Sequence, residues 1–117
     1  MNFFYYIKTC DTSLRILKQL PHEKFQLIDI KESPLTVEQL ELLKNLAGSF
    51  EALFSRRAKK YKEMDLKNQK LTELDYRRLL LNEYTFLKRP TLIFENEIFV
   101  GSDKKTIDKL ITKTKNR

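Results

Sequence analysis

The apolar residues of this chain switch between strand and helix spacing five times along its length, and that order limits the folds open to it. Near the N-terminus, Phe3-Phe4-Tyr5-Tyr6-Ile7 is an aromatic and β-branched run of the kind that forms a buried strand. Leu14, Ile16, Leu17 and Leu20 follow at helical spacing, preceded by Asp11, Thr12 and Ser13, residues that favour helix starts. Phe25, Leu27, Ile28 and Ile30 mark a second strand over 24–30, which Glu32-Ser33-Pro34 closes because proline restricts the residue before it. A helical stretch comes next. Thr36 with Gln39 makes a capping box, Leu40, Leu43, Leu46 and Ala47 give the inner face, and Gly48 is the stop. Ser49 caps a short helix through Ala52-Leu53-Phe54, and a basic stretch leads into another short helix around Tyr61 and Met64. Thr72, with Asp75 as box partner, opens what reads as the longest helix, with Leu74, Arg78, Leu81 and Tyr84 recurring along it. The period then returns to that of strands. Thr91-Leu92-Ile93-Phe94 and Ile98-Phe99-Val100 flank a tight hairpin at Glu95-Asn96-Glu97. After Gly101-Ser102-Asp103, a closing helix over 104–115 turns Ile107, Leu110 and Ile111 inward.

The order is therefore β-α-β, a block of helices, then β-β-α. A βαβ unit gives a parallel pair through a right-handed crossover, and the hairpin adds antiparallel strands. The expected class is α/β: a small mixed four-stranded sheet with flanking helices and a helical insertion, about residues 36–86, between the second and third strands. A chain of 117 residues is expected to be one domain, 1–117, large enough for a core without metal or disulfide staples. No apolar run approaches the roughly 18 residues of a membrane span, and no secretory signal pattern opens the chain. With one cysteine no internal disulfide can form, and a reducing, cytoplasmic setting is the default. Cys10 and His22 are the only soft ligands, so no metal site is expected.

The net charge of +7 is concentrated in two places. Arg56, Arg57, Lys59, Lys60 and Lys62 form one cluster, and Lys104, Lys105, Lys109, Lys113, Lys115 and Arg117 load the C-terminus. A solvated helix face and a basic tail account for such clusters most simply. Binding of an anionic substrate comes next, and no nucleic-acid reading motif accompanies the charge.

Cys10 falls at the turn between the first strand and the first helix. Unpaired backbone N–H groups point outward at a helix start, where they stabilise a thiolate and can hold an oxyanion. The thiolate is the nucleophile, and an ordinary thiol with a pKa of about 8.5 is only ~3% ionised at pH 7. The alternative is a buried, inert cysteine, common for this residue type; the polar, cap-forming flanks of Cys10 favour the reactive form. Arg89-Pro90 stands directly before the third strand. It reads either as an ordinary strand-start proline or as a cis bond that sets Arg89 beside the first strand-to-helix turn.

Taken together, Thr9-Cys10-Asp11-Thr12-Ser13, the segment 35–48, Ala52-Leu53-Phe54 followed by Tyr61-Lys62, and Leu87-Lys88-Arg89-Pro90 with Val100-Gly101 resemble the glutaredoxin-coupled arsenate reductase family. That family has a thioredoxin-like fold and a wider membership that includes the Spx-type transcriptional regulators. The resemblance implies that Cys10 is the nucleophile that attacks arsenate to form a thiol–arsenate adduct. It implies that Arg89 binds the oxyanion, that Ser13 offers its hydroxyl to the sulfur, and that Pro90 is the structural cis-proline. Thr12, Arg56 and Arg57 join Ser13 and Arg89 as candidate substrate-binding residues. The chain departs from the family pattern at three places. Leu14 follows Ser13 where reductases commonly have arginine, Ser55 stands where a second anion-binding arginine falls, and the region of Gly101 lacks a third. Ser13 also occupies the second cysteine position of the Spx redox switch.

The expected function is that of an arsenate-reductase-like thiol oxidoreductase, acting with one cysteine on an oxyanion or a disulfide. No cofactor is expected to be bound. Resolution would come from an external thiol such as glutathione, from glutaredoxin or thioredoxin, or from a second copy of the chain, and the protein itself is expected to be a monomer. The alternative is an Spx-like, non-enzymatic regulator that binds RNA polymerase through its basic surfaces and helical insertion.

Overall fold

Strand β1 (Phe3–Tyr6) lies inside a four-stranded sheet of order β2-β1-β3-β4 in the computed structural model, which describes residues 2–115. β2 (Gln26–Asp29) runs parallel to β1 with Phe3 opposite Gln26 and Tyr6 opposite Asp29. β3 (Thr91–Phe94) runs antiparallel on the other side of β1, with Phe3 opposite Ile93 and Tyr5 opposite Thr91. β4 (Glu97–Val100) completes the hairpin. Its turn has two residues, Glu95 and Asn96, with φ of 50° and 67°. Positive φ at both positions matches the right-handed twist of the flanking strands. Glu97, which the sequence places in the turn, is the first residue of β4 and pairs with Phe94. The expected mixed four-stranded α/β sheet is the one observed.

By its contacts the chain divides into two compact units, Met1–Ser33 with Arg89–Arg117, and Pro34–Lys88. In the first, alternation along the strands puts Phe4, Tyr6, Leu92, Phe94 and Phe99 on one face of the sheet. Helix α1 (Asp11–Leu17) contributes Ile16 to this core, and α5 (Lys104–Lys115) contributes Ile107 and Leu110. Leu14, Leu17 and Ile111 pack around them. β2 is an edge strand and its apolar signal is only partly a burial signal. Phe25 and Ile30, just outside its ends, are buried, whereas Leu27 is 41% exposed. Glu97 accepts hydrogen bonds from Lys113 and from Lys109 (2.9 Å), which ties α5 to β4 and holds the carboxyl below its usual range. Being surface ion pairs, these contribute at most about 1 kcal/mol each.

The second unit holds α2 (Val37–Ala47), α3 (Lys59–Glu63) and α4 (Glu73–Asn82). Both capping boxes read from the sequence form: Thr36 with Gln39, and Thr72 with Asp75. Gly48 ends α2 at φ 98°, a left-handed position that glycine adopts without a Cβ penalty. Phe54 centres the core, stacked on Phe86 at 4.8 Å and edge-on to Tyr76 at 4.9 Å. The carboxylate of Glu73 accepts from the backbone N–H groups of Phe50 (2.7 Å) and Glu51 (3.0 Å), joining the start of α4 to the turn after α2.

Two readings of α4 change. At 10 residues it is shorter than α2 (11) and α5 (12). Its buried face is Tyr76, Leu79 and Leu80, not the row through Leu74 and Leu81; Leu74 is 76% exposed. Both rows have helical spacing, but Arg78 interrupts the Leu74 row, and the aromatic ring of Tyr76 gives the other row more area to bury. Leu79→Ala should therefore cost about 2–5 kcal/mol in urea unfolding and Leu74→Ala no more than about 0.5 kcal/mol. Equal losses would restore the Leu74 face to the core.

Candidate functional site

The end of β1 is where the first unit gathers its reactive groups. The chain leaves β1 at Tyr6 and turns tightly, with the Cys10 N–H donating to the Ile7 carbonyl at 2.9 Å. Cys10 is the N-cap of α1, in an extended conformation, and its carbonyl accepts the first helical bond from Leu14 at 3.0 Å. The thiol is half-buried and free. Cysteine is a poor cap in the usual sense, because its side chain caps no backbone group here. Instead the groups of the first turn converge on the sulfur. The Ser13 hydroxyl donates to Cys10 Sγ at 3.4 Å, and Ser13 itself is fully buried.

The second arm of the site comes from β3. Because Tyr5 faces Thr91 in the antiparallel ladder, continuing the register sets Pro90 and Arg89 alongside the end of β1, where the turn to Cys10 begins. The Arg89–Pro90 bond is cis. Pro90 is buried, and its carbonyl accepts from the Gly101 N–H at 2.8 Å, which fixes the entry to the hairpin. Arg89 is half-buried.

These neighbours decide the state of the sulfur. Burial pushes the Cys10 thiol up. Against it act the Ser13 hydroxyl, the Ser13 N–H, the Arg89 guanidinium charge and the Thr12 N–H, and together they bring it below the ordinary thiol value. The first unit thus brings together Cys10, Thr12, Ser13, Arg89 and Pro90. Thr12 takes part through its backbone N–H. Such an arrangement favours the thiolate and offers donors and a fixed cation to negative charge that develops beside it.

Arg56 and Arg57 belong to the other unit. Arg56 donates to Glu51 Oε2 at 2.8 Å and to the Tyr76 hydroxyl at 3.1 Å. Both arginines line a pocket of about 500 Å3 within that unit, together with Tyr61, Lys62 and Lys67. The charge cluster was visible in the sequence, but Lys67 lies outside its contiguous run and joins it only through the fold. His22 sits exposed in the turn His22–Lys24.

Comparison with known proteins decides the relationship. Residues 5–110 match the sequence profile of the ArsC family. The chain belongs to the ArsC family. Among solved structures it is similar to an ArsC-family-related protein from Bacteroides fragilis, with 25% identity, a TM-score of 0.78, and coverage of 93% of this chain and 97% of that one. An arsenate reductase from Vibrio cholerae aligns with a TM-score of 0.76 at 18% identity, over 97% of this chain and 96% of that one. An arsenate reductase (ArsC) related protein from Brucella melitensis aligns with a TM-score of 0.70 at 22% identity, over 92% of each chain. No curated protein matches. The fold is thus the thioredoxin-like one of ArsC-family proteins, as the resemblance of Cys10 and Arg89-Pro90 with their flanking segments implied. Among the described residues no helix is long and apolar enough to cross a membrane.

The contacts on the sulfur carry a sign. Ser13→Ala removes the hydroxyl donor and leaves the burial that opposes ionisation. The pH midpoint for alkylation of Cys10 by iodoacetamide should therefore rise in Ser13→Ala. An unchanged midpoint would mean that the hydroxyl does not act on the sulfur.

Proposed function

We propose that this ArsC-family chain is an arsenate-reductase-like thiol oxidoreductase that works with a single nucleophilic sulfur. The observation that carries this reading is the Ser13 hydroxyl donating to the one cysteine's sulfur, with the Arg89 charge and the first-turn N–H groups also favouring its ionised form. A structural cysteine needs none of these, and burial alone would keep it protonated.

The reaction runs as follows. The Cys10 thiolate attacks the arsenic of arsenate, an S–As bond forms, and one oxygen leaves as water after protonation. Arg89 and the N–H groups of the first turn of α1 stabilise the negative charge on the remaining oxygens. An external thiolate, such as glutathione, then attacks the Cys10 sulfur of the adduct. The S–As bond breaks and its electron pair stays with arsenic, which departs as arsenite, while Cys10 is left in a mixed disulfide. A second thiol, free or on a glutaredoxin, attacks that disulfide and releases the Cys10 thiolate. Two thiols become one disulfide and arsenic gains two electrons. A disulfide substrate would enter at the mixed-disulfide stage and use the same sulfur. The resolving thiol comes from outside because Cys10 is the chain's only cysteine.

Arsenate reduction measured with glutathione and glutaredoxin tests this. Cys10→Ser should abolish turnover, and undiminished activity would remove the proposal. Arg89→Lys should lower kcat/KM by about tenfold or more, because a point charge cannot reproduce the planar fork of guanidinium on an oxyanion. A Lys variant as active as the native chain would exclude Arg89 from the anion site.

A further inference from the structure

The pocket in the helical unit has a charge arrangement that fold stability does not explain. Arg57, Lys59, Lys62 and Lys67 line it, and among the described residues none of the four has an acidic partner within ion-pair distance. Elsewhere the molecule pairs many of its cations: Lys60 with Glu63, Lys104 with Asp108, and Lys109 and Lys113 with Glu97. The fifth cation on the wall, Arg56, is already compensated by Glu51. Asp65 is the one carboxylate there, and it accepts from the Asn68 side chain at 2.7 Å. Like charges on four residues that line one concavity repel each other, and a cleft with apolar walls and one sign of charge focuses their field. That field favours a polyanion.

We propose that this pocket binds a nucleoside polyphosphate. Its volume of about 500 Å3 lies within the range of small-molecule sites, ~300–1,000 Å3. A lone phosphate is small against a pocket of about 500 Å3 lined by these four residues. A polyphosphate chain is longer, and charge-assisted bonds to its oxygens are stronger than neutral ones. Tyr61 supplies an aromatic wall for a planar base, its ring braced against Phe54 at 6.1 Å between centroids. A nucleic-acid strand would call for a run of stacking rings along an extended groove, and Tyr61 is the only aromatic residue lining the pocket.

Isothermal titration of magnesium-free ATP into the full chain tests the proposal, with inorganic pyrophosphate and a short oligothymidylate as competing probes. ATP should bind at one site per chain. The double variant Lys59→Glu/Lys62→Glu should weaken it by about tenfold or more. Both lysines are exposed, so the fold should survive, which circular dichroism checks. Lys105→Glu/Lys115→Glu makes the same charge change on α5 and should leave the affinity within about twofold. Four results overturn the proposal: no saturable ATP binding at millimolar concentration, equal weakening by both double variants, pyrophosphate binding as tight as ATP, or tighter binding of the oligothymidylate.

Discussion

The antiparallel register of β1 on β3 is the constraint from which the candidate site follows. Pairing Tyr5 with Thr91 leaves no freedom in where Arg89 and Pro90 fall, because a shift of one residue would turn Leu92 and Phe94 away from the core they share with Phe4 and Tyr6. The same apolar alternation that stabilises the sheet therefore aligns an arginine from late in the chain with a cysteine from its start. Packing of Ile16 from α1 and Leu110 from α5 on that face then fixes the direction in which α1 leaves the sheet, and with it the sulfur.

Within that frame the sulfur sits in a balance of opposed effects. Partial burial disfavours charge, yet it also strengthens each polar contact, since the surroundings screen less than water. Ser13 is the instructive case. A fully buried hydroxyl needs a partner, and here its partner is the sulfur. Satisfying the serine and tuning the cysteine are one interaction. The ionised sulfur is the better acceptor of that bond, so the pairing that removes a buried polar defect also favours the reactive form.

Much of this was legible in the sequence because local chemistry and global fold agree there. The Thr36–Gln39 and Thr72–Asp75 boxes form as written, Gly48 stops its helix, and the strand runs at Phe3, Thr91 and Ile98 find each other. Cys10 stands out as a candidate by its polar flanks, and Arg89-Pro90 by its place before a strand. What the sequence hid is tertiary. On α4 two rows share helical spacing, and only packing selects Tyr76, Leu79 and Leu80 over Leu74. A charge run such as 56–62 does not say which cations will ring a concavity, and Lys67 joins them through the turn at Asp65, whose φ is 50°.

Folding should make the Cys10 thiol a stronger acid, and the proposed chemistry depends on it. With one cysteine in the chain, a sample labelled with carbon-13 at cysteine Cβ gives a single titrating resonance. Following that resonance against pH in the native protein and again in urea compares the same thiol with and without its neighbours. The native midpoint should lie below the unfolded one. A native midpoint equal to or above it would contradict the claim that the fold favours ionisation of this sulfur.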